Sequence, residues 1–246
     1  MHRSFSSPAL VLRVRSSGES NREAVFLSAQ EGIISATLFG GPKSRLRSHV
    51  SPFNSGLLWT YRDPAKEFRK VSDFDVQSWR PGLRELYERS NTASLVVKAI
   101  LDSHGGGDTF AETFVIANAA LDALECADEP CCSRVLIHFL WKWAGLLGSR
   151  GTGLRYCSSC ACEFPGDAVI WFIPGEGFLC KNCLTTQSGD NSIKWAGKSN
   201  CPGLSGPARR WLLTVENKHP LELPRYSLDA VSLGELITLT GMLGKQ

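Results

Sequence analysis

The chain has 246 residues, with 27 Lys plus Arg against 24 Asp plus Glu, nine Cys, seven Trp and 43% hydrophobic residues. That composition is too apolar for a disordered chain and long enough to bury one sizeable core or two smaller ones. No run of about 18 uninterrupted apolar residues occurs, and the leading MHRSFSSPALVLRVR is polar before it turns apolar, which argues against a transmembrane or secreted protein. The odd cysteine count and two C-x-x-C pairs suit a metal site with spare buried thiols better than a disulfide framework, and a reducing, cytoplasmic compartment.

From the N-terminus, ALVLRVR at 9–15 ends in period-two alternation, with Leu10, Leu12 and Val14 on one face and Val11, Arg13 and Arg15 on the other. A polar turn at 17–21 precedes AVFL at 24–27, and a second turn at 30–32 precedes IISATLF at 33–39. Phe53 to Tyr61 and Phe68 to Val76 supply two more strands. So many short strands in under 80 residues bury little as an open sheet, whereas curling them into a small barrel closes most exposed edges. The pattern is compatible with an OB-type barrel, and a small SH3-like barrel reads much the same. Gly18, Gly32 and Gly40 fit turns that need positive φ.

After Trp79-Arg80-Pro81-Gly82 the period becomes helical. A stripe of Leu83, Leu86, Tyr87, Leu95, Val96, Ala99 and Ile100 predicts a helix over 83–101. Gly105-Gly106-Gly107 breaks it, Asp108 is placed to cap the next helix, and that helix runs to about Leu124. RVLIHFLWKWAGLLG at 134–148 is too short to span a bilayer and belongs in the middle of a helical domain. Ser205 precedes a further helix, and Ser232 with Glu235 forms a capping-box pattern ahead of the last. The predicted class is α+β and multidomain: a barrel over 1–79, then a helical domain over 80–246 with an insert at 157–183.

The insert carries the most specific chemical signal. Cys157-Ser158-Ser159-Cys160 and Cys180-Lys181-Asn182-Cys183 are two knuckles able to converge on one tetrahedral ion, and four thiolates suit Zn(2+). A ligand set of four sulfurs leaves no open position for water, so the reading is a structural zinc; a metal-free redox pair and an iron–sulfur site are the alternatives. Between the knuckles, turns at 164–167 and 174–177 bracket the apolar AVIWF, as a ribbon requires. Cys162 offers an alternative ligand; the knuckle spacing favours Cys160 without excluding a swap. Cys126, Cys131 and Cys132 read as buried small hydrophobes or helix-end thiols, and Cys201 as a loop thiol.

Charge is concentrated at the N-terminal end: residues 1–79 hold 11 Lys plus Arg and 7 acids, and from Gly32 to Arg62 there is no acid at all. That stretch, with Lys43, Arg45, Arg47 and Arg62, fits a polyanion-binding face; its bland reading is a solvated basic loop. No Walker-type loop, no H-E-x-x-H, no deaminase signature and no G-x-S-x-G occurs. His2, His49, His104, His138 and His219 are scattered, with His138 set in apolar sequence as a core histidine. Asp73 and Asp75 share a strand face without a partner base. The expectation is a protein that is not an enzyme.

Taken in order, the leading segment through G-E-x-x-R and K-S-R-L-R, then FLWKWAGLLG, YCSSC and FLCKNC, resembles the bacterial recombination mediator family RecO over nearly the whole length. The resemblance implies an N-terminal OB-fold barrel, a helical body with a four-cysteine zinc insert, binding of single- and double-stranded DNA without sequence preference, and annealing of complementary strands. It further implies cooperation with RecR in DNA repair and recombination, to load RecA onto strands coated by single-strand-binding protein, whose C-terminal tail would be bound. A cytoplasmic, nucleoid-associated location with no membrane partner follows. Gly18, Glu19 and Arg22 match the family's first turn, Lys43, Ser44 and Arg45 its basic segment, and Cys157, Cys160, Cys180 and Cys183 its metal pairs.

On this reading Arg13, Arg15, Arg22, Lys43, Arg45 and Arg47 supply a positive track on the barrel. Phosphate contacts of that kind are independent of sequence and sensitive to salt. Trp59, Tyr61 and Phe39 are placed either to stack bases or to fill the barrel core. The rivals are a zinc-stabilised scaffold for protein partners, supported by the modest net charge and apolar helical body, and a zinc-dependent nuclease, which lacks an open metal position.

Overall fold

A computed structural model describes residues 4–18, 20–40, 44–63, 68–103, 105, 109–151, 153–186 and 201–243. Glu19, Lys43, Asp108, His2, His104, Gly106 and Gly107, all singled out in the sequence, lie outside the described residues. The chain divides into two compact units, Met1–Cys132 and Ser133–Gln246.

The first unit opens with β1 (Ser4–Ser17), β2 (Asn21–Ser28) and β3 (Gly32–Leu38), a short helix α1 (Arg45–His49), then β4 (Ser55–Asp63) and β5 (Phe68–Ser78). The five strands close into a barrel in the order β1-β2-β3-β5-β4; β1 pairs antiparallel with β4, and β3 meets β5 in parallel at Thr37 and Lys70. Closure removes the free edges that an open sheet would expose. Its interior is filled by Val11, Ala24, Phe26, Ile34, Ala36, Leu38, Leu58, Val71 and Phe74, with the Phe26 and Phe74 rings edge-on at 6.0 Å. Leu46 of α1 and the following Val50 join this cluster.

β2 does not alternate: Ala24 to Ser28 are all buried. The reason lies in α3 (Phe110–Cys126), which packs on β2 and also touches β1 and β3, so the outer side of β2 is covered as well. Continuous apolar AVFL is what a strand buried on both faces requires. At the β2–β3 turn Gly32 has φ +73°, and an added Cβ would meet the Phe110 ring at 3.4 Å. Gly18 and Gly40 also have positive φ, as their turns require.

The compact unit therefore continues past the barrel to Cys132, taking in α2 (Tyr87–Asp102) and α3. Arg80 shows why. It has φ +46° and is 2% exposed. Its guanidinium donates to Asp122 Oδ1 (2.7 Å) and Asn118 Oδ1 (2.8 Å) of α3, and to the Phe53 carbonyl (2.6 Å) and Ser55 Oγ (3.1 Å) at the start of β4. One side chain satisfies acceptors on the barrel and on a helix. Arg89 of α2 similarly donates to the carbonyls of Glu125 (2.8 Å) and Ala127 (2.7 Å).

The predicted stripe holds at Leu83, Val96 and Ile100 and fails at Tyr87 and Leu95. Tyr87 is 74% exposed and Leu95 41%, whereas Thr92, Ala93, Val96, Val97 and Ile100 are buried. Pro81–Arg84 forms a separate 3-10 turn, so the helical phase set by Leu83 and Leu86 does not carry into α2.

The second unit contains most of α4 (Glu129–Leu146), a three-stranded sheet of order β7-β6-β8, and α5 to α7. Its strands are β6 (Ile170–Ile173), β7 (Gly177–Leu179) and β8 (Gly203–Leu204), and its later helices α5 (Lys181–Thr186), α6 (Gly206–Val215) and α7 (Ala230–Leu243). Phe139, Trp141 and Trp143 are among the largest fully buried side chains, as the apolar run predicts. Ser205 caps α6, accepting from the Ala208 amide at 3.4 Å. The predicted Ser232–Glu235 box is not formed. Asp229 caps α7 by accepting from the Ser232 amide at 2.9 Å, Ser232 is buried inside the helix, and the Glu235 carboxylate accepts from the Ser205 amide at 2.9 Å. Both polar side chains thus spend their hydrogen bonding elsewhere.

Candidate nucleic-acid interface and cysteine centre

β1 presents Arg13 opposite Val25 and Arg15 opposite Glu23, while Arg22 lies opposite Ser16 and Leu38. Directly opposed residues share a face and successive residues alternate. Val14 leans into the barrel core, so Arg13 and Arg15 face outward and Arg22 takes the opposite side, at the end of the barrel. Arg15 is exposed; Arg13 and Arg22 are half-buried. Arg45 and Arg47 stand on α1, where Arg45 Nε donates to His49 Nε2 at 3.1 Å. The predicted residues thus fall into a β1 pair, Arg22 at the barrel end, and an α1 pair, with Lys43 outside the described residues.

The basic residues of this unit separate by partner. Arg69 is paired with Glu31 (2.6 Å), Arg80 with Asp122 (2.7 Å) and Arg89 with Glu85 (3.7 Å). Among the described residues, Arg13, Arg15, Arg22, Arg45, Arg47 and Arg62 form no ion pair, and the buried Nε atoms of Arg13 and Arg47 have no hydrogen-bond partner. Unneutralised guanidinium groups are what a phosphate-binding surface needs.

Trp59 and Tyr61 are half-buried, and Lys70 Nζ sits over the Tyr61 ring at 5.1 Å. Phe39 is 46% exposed with its ring 5.9 Å from that of Phe68. Phe68 and Lys70 escaped notice in the sequence, where only their strand was legible, because their proximity to Phe39 and Tyr61 arises from pairing across β4 and β5 and from closure of the barrel.

In the second unit, Cys157, Cys160, Cys162 and Cys180 place their sulfurs within 4.8 Å of one another. Cys183, the fourth predicted ligand, adjoins them: its amide points at Cys180 Sγ (3.5 Å), and its thiol shares hydrogen bonds with Cys160, Cys180 and Cys157. The local fold explains the convergence. Cys157 N donates to Cys162 O at 2.9 Å and Ala161 N to Cys157 O at 2.9 Å, with Ala161 at φ +56°, so the chain curls back over its own knuckle. Ser158 N donates to Phe178 O at 2.8 Å, tying that knuckle to β7, and β7 delivers Cys180. The ribbon read between the knuckles is present as β6 and β7, joined by a turn closed by Glu176 N to Ile173 O at 3.0 Å.

Backbone amides aimed at sulfur favour thiolate. The Cys162 amide leads the causes holding the Cys160 thiol down at about 6. Burial opposes ionisation of Cys157, yet the amides of Cys160, Cys180 and Ser159 bring it below the ordinary thiol range. The thiols of Cys162 and Cys183 are pushed up to about 12, chiefly by their hydrogen bonds to Cys160. Clustered sulfurs served by amide donors suit a soft, thiophilic metal ion held by four of them. Cys131 and Cys132 are buried apart from this cluster, and burial raises the Cys132 thiol to about 11, as befits a core residue. Cys126 is exposed and Cys201 half-buried.

A closed five-stranded barrel, a helical region and a cluster of cysteines able to hold a metal ion are the class-defining features of this chain. Residues 1–78 match the family model described as recombination protein O N terminal. The chain is 30% identical over 182 residues to the DNA repair protein RecO of Pelotomaculum thermopropionicum, covering 73% of this chain and 68% of that one. It is 27% identical over 189 residues to that of Rubrobacter xylanophilus, covering 76% and 74%. The chain belongs to the RecO family. Proteins of this family are non-enzymatic, and this chain is not an enzyme.

Proposed function

We propose that the chain is a DNA-binding recombination mediator, gripping single- and double-stranded DNA by phosphate contacts on the barrel and annealing complementary strands. The observation that carries this reading is the set of barrel arginines without ion-pair partners. Annealing breaks no bond; it requires two repelling strands to be held together with their bases free to pair. Guanidinium groups on phosphate do that without reading sequence. The strand order, with closure of β1 on β4 and a parallel β3–β5 contact, supports assigning the barrel to the OB class. The exposed Phe39 with Phe68, and Tyr61 beneath Lys70, supply aromatic surface for unpaired bases.

The cysteine cluster is read as a structural zinc site, because four sulfurs complete a tetrahedral shell and leave no position for substrate. Its role is to lock the ribbon. Action with RecR, and loading of RecA onto strands coated by single-strand-binding protein in a nucleoid-associated setting, are part of the same reading. For the tail of single-strand-binding protein, support comes from a pocket of about 310 Å³ in the second unit, lined by Trp141, Arg150, Arg155 and Tyr156 among others. No helix among the described residues is long and apolar enough to cross a membrane.

The test is anisotropy of labelled single-stranded DNA across a salt series. Replacing Lys43, Arg45 and Arg47 with alanine should weaken binding and reduce the slope of log affinity on log salt by about 0.7 for each single-strand phosphate that the variant leaves unneutralised, with far-UV circular dichroism unchanged. Wild-type affinity in that variant would refute the assignment. No binding at low salt by the unmodified protein would favour the scaffold reading instead.

A further inference from the structure

Five thiols converge where a tetrahedral ion takes four. Cys160 is their hub, sharing side-chain hydrogen bonds with Cys157, Cys162 and Cys183 and lying 3.9 Å from the Cys180 sulfur. Two overlapping tetrads result. One is Cys157, Cys160, Cys162 and Cys180, whose sulfurs lie within 4.8 Å of one another; the other replaces Cys162 with Cys183. Cys183 lies outside that close set but has its amide 3.5 Å from Cys180 Sγ and its thiol engaged with the same three partners. Cys157, Cys160 and Cys180 are common to both. Cys157 is buried, and its sulfur accepts from the Cys180 amide at 3.4 Å, so the shared core spans both knuckles. Cys162 and Cys183 approach it from separate segments: Cys162 is exposed beyond the first knuckle, and Cys183 is half-buried in the first turn of α5.

We propose that Cys162 and Cys183 are interchangeable fourth ligands of one zinc ion, so that the loaded site always keeps one uncoordinated thiol at its solvent side, open to soft electrophiles. This rests on reading the cluster as a metal site. The physical ground is that zinc, having no d-electron preference, accepts either tetrahedral sulfur set, and the two sets share three sulfurs. Neither candidate must leave the cluster for the other to bind. Replacing either one alone therefore removes a spare rather than a ligand.

The experiment uses the full chain loaded with zinc, or with cobalt as a spectroscopic substitute. Native mass spectrometry should find one ion per chain in the wild type, in Cys162→Ser and in Cys183→Ser, with the cobalt ligand-field band of a four-sulfur site kept in each single variant. The double variant should fall to a three-sulfur spectrum and weaken zinc binding by at least the roughly tenfold that even outer ligand changes cost. Brief N-ethylmaleimide treatment of the loaded wild type, followed by peptide mapping, should divide one equivalent of label between Cys162 and Cys183, scored apart from Cys126 and Cys201. A single variant that loses the four-sulfur band would show that residue to be a dedicated ligand and overturn the proposal. Label confined to one of the two cysteines would overturn it equally, without depending on any variant folding. A wild type that binds no thiophilic ion would instead defeat the metal reading on which the proposal rests.

Discussion

His138 shows how far one residue's sequence context carries. Set between Ile137 and Phe139, it reads as a core histidine, and it is 2% exposed with Nε2 3.1 Å from the Val215 carbonyl. Burial is the main cause holding its pKa down at about 4, reinforced by Lys142 and, more weakly, His219, against hydrogen bonds to the backbone of Val215 and Lys218. Because the folded value lies below the ordinary 6.5, the unfolded chain takes up the proton first. The associated stability is fully present above pH 6.5 and is lost as pH falls toward 4, by on the order of 3 kcal/mol. Urea denaturation at stepped pH should show that decline, and His138→Gln should flatten it; an unchanged profile in the variant would place the acid sensitivity elsewhere. The histidine's burial was legible from its neighbours, but its acceptor, 77 residues away, was not.

At the scale of elements, the strands were legible because period-two pattern and turn glycines are local. β1 to β5 fall where alternation and Gly18, Gly32 and Gly40 place them, although β1 begins five residues before the predicted Ala9. The glycine that matters most to strand pairing gave no such signal. At Gly56 in β4 a Cβ would lie 1.9 Å from the Asp75 carbonyl oxygen, beside the shift of register at Ser55 and Gly56. Gly56→Ala should therefore cost about 1–3 kcal/mol in chemical denaturation, through forced separation of β4 from β5. A loss no larger than that of an exposed strand substitution would show the pair to be pliable. The last helix taught the opposite lesson. Ser232 and Glu235 have capping-box spacing, yet Asp229 lies three residues earlier and Glu235 is engaged by Ser205, a partner chosen by tertiary packing.

Considered as a whole molecule, the chain keeps its two candidate sites in separate compact units: the arginines without ion pairs among the described residues in Met1–Cys132, and the cysteine centre in Ser133–Gln246. If the cysteine centre holds zinc as proposed, chelation should lower the thermal stability of the second unit while leaving the proposed salt-dependent DNA binding of the barrel intact. Cys180→Ser, which removes a sulfur common to both tetrads, should reproduce the stability loss and weaken metal binding. Calorimetry beside anisotropy on the same chelated sample checks both. Parallel loss of DNA binding would mean that the cysteine ribbon takes part in the grip.

What the sequence by itself determined is what neighbours along the chain decide: the strands, most of the helices, the two knuckles, and an acid-free basic stretch from Gly32 to Arg62. Tertiary structure decided which groups find partners across long separations. It buried Arg80 as a tie between β4 and α3, left Arg13, Arg15, Arg22, Arg45 and Arg47 without ion pairs among the described residues, and folded Cys162 back into the sulfur cluster. Charge and cysteine spacing are properties of the chain, whereas the pairing of a charge or a sulfur depends on what the fold brings within a few ångströms of it.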